Sequence, residues 1–274
     1  MVIQEDMSHI AATFRLLHRN TTPLRLPNAW DAGSARLFES LGATAIATTS
    51  AGVAWALGYR DGRRLPMNEV FGAASRMARV LTVPLSFDIE NGYSDDPQGV
   101  VDNVMRLVDL GIAGINIEDG PDKATLLASK IESIRSAVSK AGADLFVNAR
   151  SDVFLAGLVE KHKLVEESIE RGKLYAEAGA DGLFIPGIVQ AEHIKAVVDG
   201  VPLPLNAMAS PTLADAAQLG KLGVRRVSSG SAISQVLWGK AEALARDFLQ
   251  SGCSEPLSEA SMPYQQLQGL FAGK

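Results

Sequence analysis

Short apolar runs alternate along this chain with longer segments whose apolar positions recur at helical spacing. Strands are predicted over residues 25–30, 43–50, 84–90, 114–119, 144–150, 182–187, 203–208 and 225–230. Between them the period changes. Val100, Val104, Leu107 and Val108 form one helical stripe, and Ile131, Ile134, Val138 and Ala141 another. Leu-Gly-Ala at 41–43, Leu-Gly-Ile at 110–112, Ala-Gly-Ala at 141–143 and 178–180, and Leu-Gly-Val at 222–224 each end a helix with glycine at C′, and an apolar strand follows. Eight β-then-α units without an intervening linker predict an α/β fold, a (β/α)8 TIM barrel. A doubly wound sheet is the rival. The expected Gly-x-Gly-x-x-Gly is missing after the first strand, where Asn28-Ala-Trp-Asp-Ala-Gly33 stands.

Residues 1–251 are expected to form the single barrel domain. Residues 252–274 read as a C-terminal tail carrying more apolar positions than a solvated tail needs: Leu257, Leu267, Leu270 and Phe271 follow Phe248 and Leu249. Such a tail is expected to lie on the barrel or on a neighbouring subunit. The 274 residues are 47% hydrophobic and 21% charged, ordinary for a soluble globular protein. A net charge of −5 gives no nucleic-acid footprint. No apolar run is long enough to span a membrane, and Glu5 and Asp6 stand where a signal peptide would be basic. A single cysteine, Cys253, rules out an internal disulfide framework and fits a reducing compartment, so a cytoplasmic location is expected.

Chemistry in such barrels gathers at the C-terminal strand ends. Pro84-Leu-Ser-Phe-Asp-Ile-Glu-Asn-Gly-Tyr93 runs a buried-strand pattern into Asp88 and Glu90, which would share one strand face. Gly114-Ile-Asn-Ile-Glu118-Asp119 repeats the arrangement. Like charges on an inner face become useful when a divalent cation sits between them. No lysine ends a strand, which removes Schiff-base chemistry. His9, His18, His162 and His193 all fall elsewhere, which removes a histidine-rich zinc site. Oxygen ligands remain, suited to Mg²⁺ or Mn²⁺. Asp31, Asp119 and Asp152 read as helix N-caps.

The chain resembles the isocitrate lyase / phosphoenolpyruvate mutase superfamily over residues 25–235. The resemblance lies in Leu26-Pro-Asn-Ala-Trp-Asp-Ala-Gly33, Thr49-Ser-Ala-Gly-Val53, Leu57-Gly-Tyr-Arg-Asp61, Asp88-Ile-Glu-Asn-Gly-Tyr93, Ile117-Glu-Asp119, Asn148-Ala-Arg-Ser-Asp152 and Ala178-Gly-Ala-Asp-Gly182. It implies that Asp88 binds Mg²⁺ directly and also borders the substrate, while Glu90 and Glu118 hold metal-bound waters. Asp61 would be the loop acid near metal and substrate. Arg150 would neutralise developing substrate charge. Thr49, Ser50 and Ala51 would cradle the carboxylate of a 2-oxo acid, and Asn206 would add a polar contact. It also implies a homo-oligomer, dimer or tetramer, in which the tail is exchanged between subunits.

The chain departs from the family's lyases at one place. They carry a Lys-Lys-Cys-Gly-His-like loop whose cysteine serves as acid/base, whereas Glu118-Asp-Gly-Pro-Asp-Lys-Ala-Thr-Leu126 runs almost directly into a helix. Decarboxylation of an oxaloacetate-like 2-oxo acid, which needs no acid cysteine, is therefore the leading expectation. Phosphonopyruvate mutase or hydrolase chemistry is the alternative, and a non-catalytic barrel that binds metal and dicarboxylate is the reading from another class.

Overall fold

The computed structural model describes residues 2–259 and 261–273, with residues 2–9 as backbone only. The side chains of Glu5, Asp6 and His9 lie outside the described residues. A first helix, α1 (Val2–Leu17), precedes β1 (Leu24–Leu26) and β2 (Asn28–Ala29). Then follow α2 (Ala32–Ser40), β3 (Ile46–Thr48), α3 (Ser50–Ala56), α4 (Met67–Val80), β4 (Leu85–Asp88), α5 (Pro97–Asp109), β5 (Gly114–Glu118), α6 (Ala124–Lys140) and β6 (Phe146–Arg150). A π-helical turn (Val153–Gly157) leads to α7 (Leu164–Glu177), β7 (Gly182–Phe184), α8 (Ala191–Gly200), β8 (Leu205–Met208), α9 (Ala216–Leu222) and β9 (Arg226–Ser228). Three helices end the chain: α10 (Ala232–Ser251), α11 (Glu255–Ser258) and α12 (Tyr264–Leu270).

All strand pairs are parallel, in the order β1-β9-β8-β7-β6-β5-β4-β3-β2. The first predicted strand is split by Pro27, which has no N–H to give to a ladder. Its first half pairs with β9 and its second with β3, so one interrupted strand closes the (β/α)8 barrel. The helical stripes are buried as the spacing requires: Val100, Val104, Leu107 and Val108 on α5, and Ile131, Ile134 and Val138 on α6. Ala141 is instead the exposed C-cap of α6. The C′ glycines 42, 111, 142, 179 and 223 all take positive φ, as those turns need.

Two shells make the core. A large shell of aliphatic residues fills the space between strands and helices. A small one, with Phe14, Leu24, Leu26, Ala45, Ala47 and Phe146, plugs the floor of the barrel. Between floor and mouth the interior is polar, where barrels usually place branched aliphatics. Asn148 Nδ2 donates to Asn116 Oδ1 at 2.9 Å, Asn206 Nδ2 to Ser228 Oγ at 3.0 Å, and Arg226 Nη2 to Asn116 Oδ1 at 3.2 Å. Gly182 makes room for this layer, since a Cβ there would stand 2.6 Å from Asn148 Oδ1.

The exposed terminal segment begins before residue 252. Val236, Leu237, Trp238, Phe248 and Leu249 on α10 are already solvent-facing, while α12 returns to α2, where Arg36 Nε donates to the Leu270 carbonyl at 2.7 Å.

His18 lies buried on the floor, its Nδ1 2.8 Å from the Phe14 carbonyl and its ring stacked on Phe146 at 4.2 Å. That carbonyl accepts, so Nδ1 carries the proton and Nε2 is bare. Burial, aided by the nearby Arg226 and Arg15, pushes its pKa down to about 3. The unfolded chain takes this proton below about 6.5 and the folded one does not until about 3, so stability is lost as pH falls through that window. Urea titrations should show a loss of roughly 2 kcal/mol from this group between pH 7 and pH 5. His18→Phe should flatten that slope. An unchanged slope in the variant would contradict the assignment.

Candidate active site

The acids converge at the mouth of the barrel, where β4, β5 and β6 end side by side. Register pairs Asp88 with Asn116 and Glu118 with Arg150 across the ladder. Because Asn116 faces the interior, Glu118 two residues on does so at the rim, above the level of Asp88. Asp88 is 8% exposed, its Oδ1 accepting from the Glu90 amide at 3.0 Å and its Oδ2 from Ser50 Oγ at 3.4 Å. Thr48 Oγ1 accepts from the Asp88 amide at 2.8 Å, which fixes the backbone that presents the carboxylate.

One guanidinium stands among these charges. Arg150 Nη1 lies 2.7 Å from Glu118 Oε2, while its Nε and Nη2 meet the two oxygens of Asp152 at 2.6 and 3.0 Å. Burial raises Asp88 above the ordinary carboxylate range, with Asp61 adding to the rise and Arg150 opposing it. Burial also pushes Glu118 up to about 8, helped by Asp88, Asp152 and Glu90, although Arg150 touches it. Arg150 is bidentate to Asp152, so its charge is divided, and burial prevails. Arg150 is itself pushed above its usual value by Glu118, Asp152 and Asp88. Carboxyl groups outnumber the guanidinium at the mouth, and burial favours the neutral forms of Asp88 and Glu118.

Among the described residues, no three Asp, Glu, His or Cys side chains converge closely enough to ligate an ion unaided. The donor set fits a hydrated hard cation. Asp88 offers a single buried carboxylate with Glu118 facing it, and Mg²⁺ keeps several waters while using one or two carboxylates. Burial raises both acids, and a bound positive charge would favour their ionised forms.

Other expected residues fall as follows. Thr49 is the N-cap of α3, its Oγ1 accepting from the Gly52 amide at 3.4 Å, with Ser50 and Ala51 beginning the helix. Asp61 sits in an exposed loop within electrostatic reach of Asp88 and Glu90. Asn206 is enclosed in the interior layer, accepting from Asn148 and donating to Ser228 and the Ala207 carbonyl, so its polar atoms are spent below the mouth.

Glu90 does not share a strand face with Asp88. The strand stops at Asp88, and Glu90 takes φ +49° in the following turn. Its carboxylate accepts from Tyr93 Oη at 2.8 Å and from the Arg63 amide.

Asp31 caps α2 in a reciprocal capping box with Ser34, as expected. Asp152 stands at the N-cap position of the π-helical turn but makes no side-chain capping bond, and Asp119 caps no helix, the N-cap of α6 being Lys123. Asp119 is buried and accepts from the Asp152 amide at 2.9 Å, Arg171 Nη1 at 2.9 Å and Tyr175 Oη at 2.6 Å. It ties β5, β6 and α7 together beneath the Arg150–Asp152 pair. Arg226 was not anticipated; alternation with inward Ser228 was the available signal.

These groups stand at the mouth of a (β/α)8 barrel, and comparison with known proteins shows the family to which such a barrel belongs. Residues 14–249 match the family described as phosphoenolpyruvate phosphomutase. An uncharacterized protein of Mycobacterium tuberculosis is 37% identical over 261 residues, covering 93% of this chain and 95% of the relative. An oxaloacetate decarboxylase of Pseudomonas fluorescens is 32% identical over 235 residues, covering 81% of this chain and 79% of the relative. A crystal structure from Burkholderia cenocepacia, named provisionally as a phosphonomutase, has TM-score 0.81 at 36% identity, covering 87% of this chain and 99% of that one. The chain belongs to the phosphoenolpyruvate mutase family, within the superfamily that also holds the isocitrate lyases.

Replacing Asp119 by Ala leaves the Tyr175 hydroxyl and the Asp152 amide unpaired in a buried place and leaves Arg171 with Glu167 alone. Denaturant unfolding should show a loss of about 3–5 kcal/mol. A loss under about 1 kcal/mol would show that the hub carries little.

Proposed function

We propose that this chain is a divalent-metal-dependent lyase that breaks the bond next to the carbonyl of a small 2-oxo acid, with oxaloacetate the favoured substrate. The observation that carries this reading is the placement of two carboxyl groups, the buried Asp88 and the half-buried Glu118, at adjacent strand ends beside the Arg150 guanidinium. Asp88 would hold Mg²⁺ or Mn²⁺, with Glu118 steadying its waters. When bound there, the cation supplies Lewis-acid stabilisation of negative charge on the former carbonyl oxygen.

The chain's own groups account for the rest. Arg150 commits two of its five N–H donors to Asp152 and lies in ion-pair contact with Glu118, so donors remain for a substrate oxygen. Ser50 and the start of α3 border the place where the 2-oxo carboxylate would lie. In decarboxylation the C3–C4 bond breaks, its electron pair passes to the carbonyl oxygen as an enolate, and neutral CO₂ leaves. The enolate then takes a proton at C3, and Asp61 in its exposed loop is the candidate donor. Only five residues, 119–123, separate β5 from α6, so no acid/base lid is needed or housed there.

The family description and the Burkholderia structure favour C–P bond chemistry on phosphonopyruvate as the second reading. Pyruvate release from oxaloacetate against phosphonopyruvate separates the two. Asp88→Ala should lower turnover by about 100-fold or more, and EDTA should abolish it. Full turnover after exhaustive dialysis against EDTA would overturn metal dependence. Oxalate binding with no turnover on either substrate would support the sequestering alternative.

The exposed apolar side chains of α10 support a homo-oligomer that exchanges its terminal helices, with residues 1–251 as one barrel domain. Light scattering should read a dimer or tetramer, and a monomer mass would overturn this. Among the described residues, no helix is long and apolar enough to cross a membrane.

A further inference from the structure

Among the described residues, the non-glycine positions with positive φ are Arg63, Glu90 and Tyr93, at 61°, 49° and 56°. Such conformations cost energy and persist only where surrounding contacts enforce them. All three meet at one carboxylate. Glu90 Oε1 accepts from Tyr93 Oη at 2.8 Å, and Oε2 accepts from the Arg63 amide.

One side of this junction is rigidly anchored. Lys130, 1% exposed on α6, donates from Nζ to the Asn91 carbonyl at 2.9 Å. Asn103 Nδ2 donates to the Gly92 carbonyl at 3.0 Å, and Asn91 Oδ1 accepts from the Tyr93 amide at 3.1 Å. Gly92, at φ +91°, lies so close to Val100 that a Cβ would stand 2.7 Å from it. The other side is the exposed loop 58–64 that carries Asp61; its start is tied to α3 by the Tyr59 amide on the Ala54 carbonyl at 2.8 Å, and beyond Asp61 it has long ion pairs from Arg63 to Asp95 (3.8 Å) and Asp122 (3.6 Å).

We propose that Glu90 is a clamp that positions the Asp61 loop against the anchored 90–93 turn, with Tyr93 as its positioning partner, and that it does not contact the metal. The carboxylate that the family resemblance assigns to metal-bound water accepts one protein donor on each oxygen, and these two bonds fix its orientation between the loop and the turn. The inference rests on the proposed cation at Asp88 for its consequence in catalysis, and on geometry alone for the clamp itself.

The loop supplies its own reporter, because Arg60, Arg63 and Arg64 are exposed trypsin sites. Limited tryptic digestion with mass mapping of residues 60–64 reads the clamp, and Mn²⁺ titration calorimetry reads the ion. Tyr93→Phe keeps the Glu90 charge and removes one donor. It should speed cleavage in the loop about tenfold, leave Mn²⁺ affinity unchanged within error, and lower kcat on oxaloacetate more than it alters KM. Glu90→Gln, whose single amide oxygen cannot serve both donors, should speed cleavage likewise. Circular dichroism melting confirms the folded state of each. Saturating Mn²⁺ should leave loop cleavage of the wild type unchanged. The clamp is overturned if both variants are cut at the wild-type rate, or if Mn²⁺ accelerates loop cleavage in the wild type. A wild type that binds no Mn²⁺ sinks the functional reading instead, and the protease comparison still decides the clamp.

Discussion

A single guanidinium shared among too many carboxylates governs the mouth of this barrel. Arg150 is bidentate to Asp152 and touches Glu118, with Asp88 close behind. Burial pushes Glu118 up to about 8, with the nearby Asp88, Asp152 and Glu90 adding to the rise and Arg150 offsetting only part of it. Proteins retain such crowding where a bound charge completes it. The strand ladder enforces it here, since the pairing of Glu118 with Arg150 puts the two groups side by side whatever their charges prefer.

The layers below serve that rim. Asp119 grips the Asp152 amide, Arg171 and Tyr175, so the second partner of Arg150 is held from beneath. Deeper still, the amides of Asn116, Asn148 and Asn206 occupy a layer that branched aliphatics would usually fill. Arg226 reaches into this layer, where burial pushes its pKa down to about 9 against the opposing pull of the Asp88 charge. Above the rim, the Glu90 junction fixes a loop acid that the scaffold would otherwise leave free. Rigid strands thus present the binding groups, and one hydrogen-bonded turn holds the exposed loop beside them.

The barrel was legible because parallel strands buried on both faces read as apolar runs, and because glycine at each helix end marks where the next begins. Asp88, Glu118 and Arg150 were legible for the same reason, as charges at the ends of such runs. Strand ends were not. Alternation puts Asp88 and Glu90 on one face only while the strand continues, and the left-handed backbone at Glu90 ends it first. Pro27 similarly splits the opening strand, a break that the apolar pattern does not show. The roles of Asp119 and Asn206 depend on partners far away in sequence, such as Tyr175 and Asn148, which no local spacing reveals. The terminal helices were recognised by their apolar content, but the surplus begins on α10, where helical periodicity hides it.

The most direct test is a crystal structure with Mn²⁺ and oxalate, which mimics an enolate of pyruvate. The account predicts an anomalous peak beside the Asp88 carboxylate, with Glu118 facing the ion's hydration shell and Arg150 reaching an oxalate oxygen. A peak elsewhere, or Asp88 and Glu118 too far apart to share one hydrated ion, would contradict it.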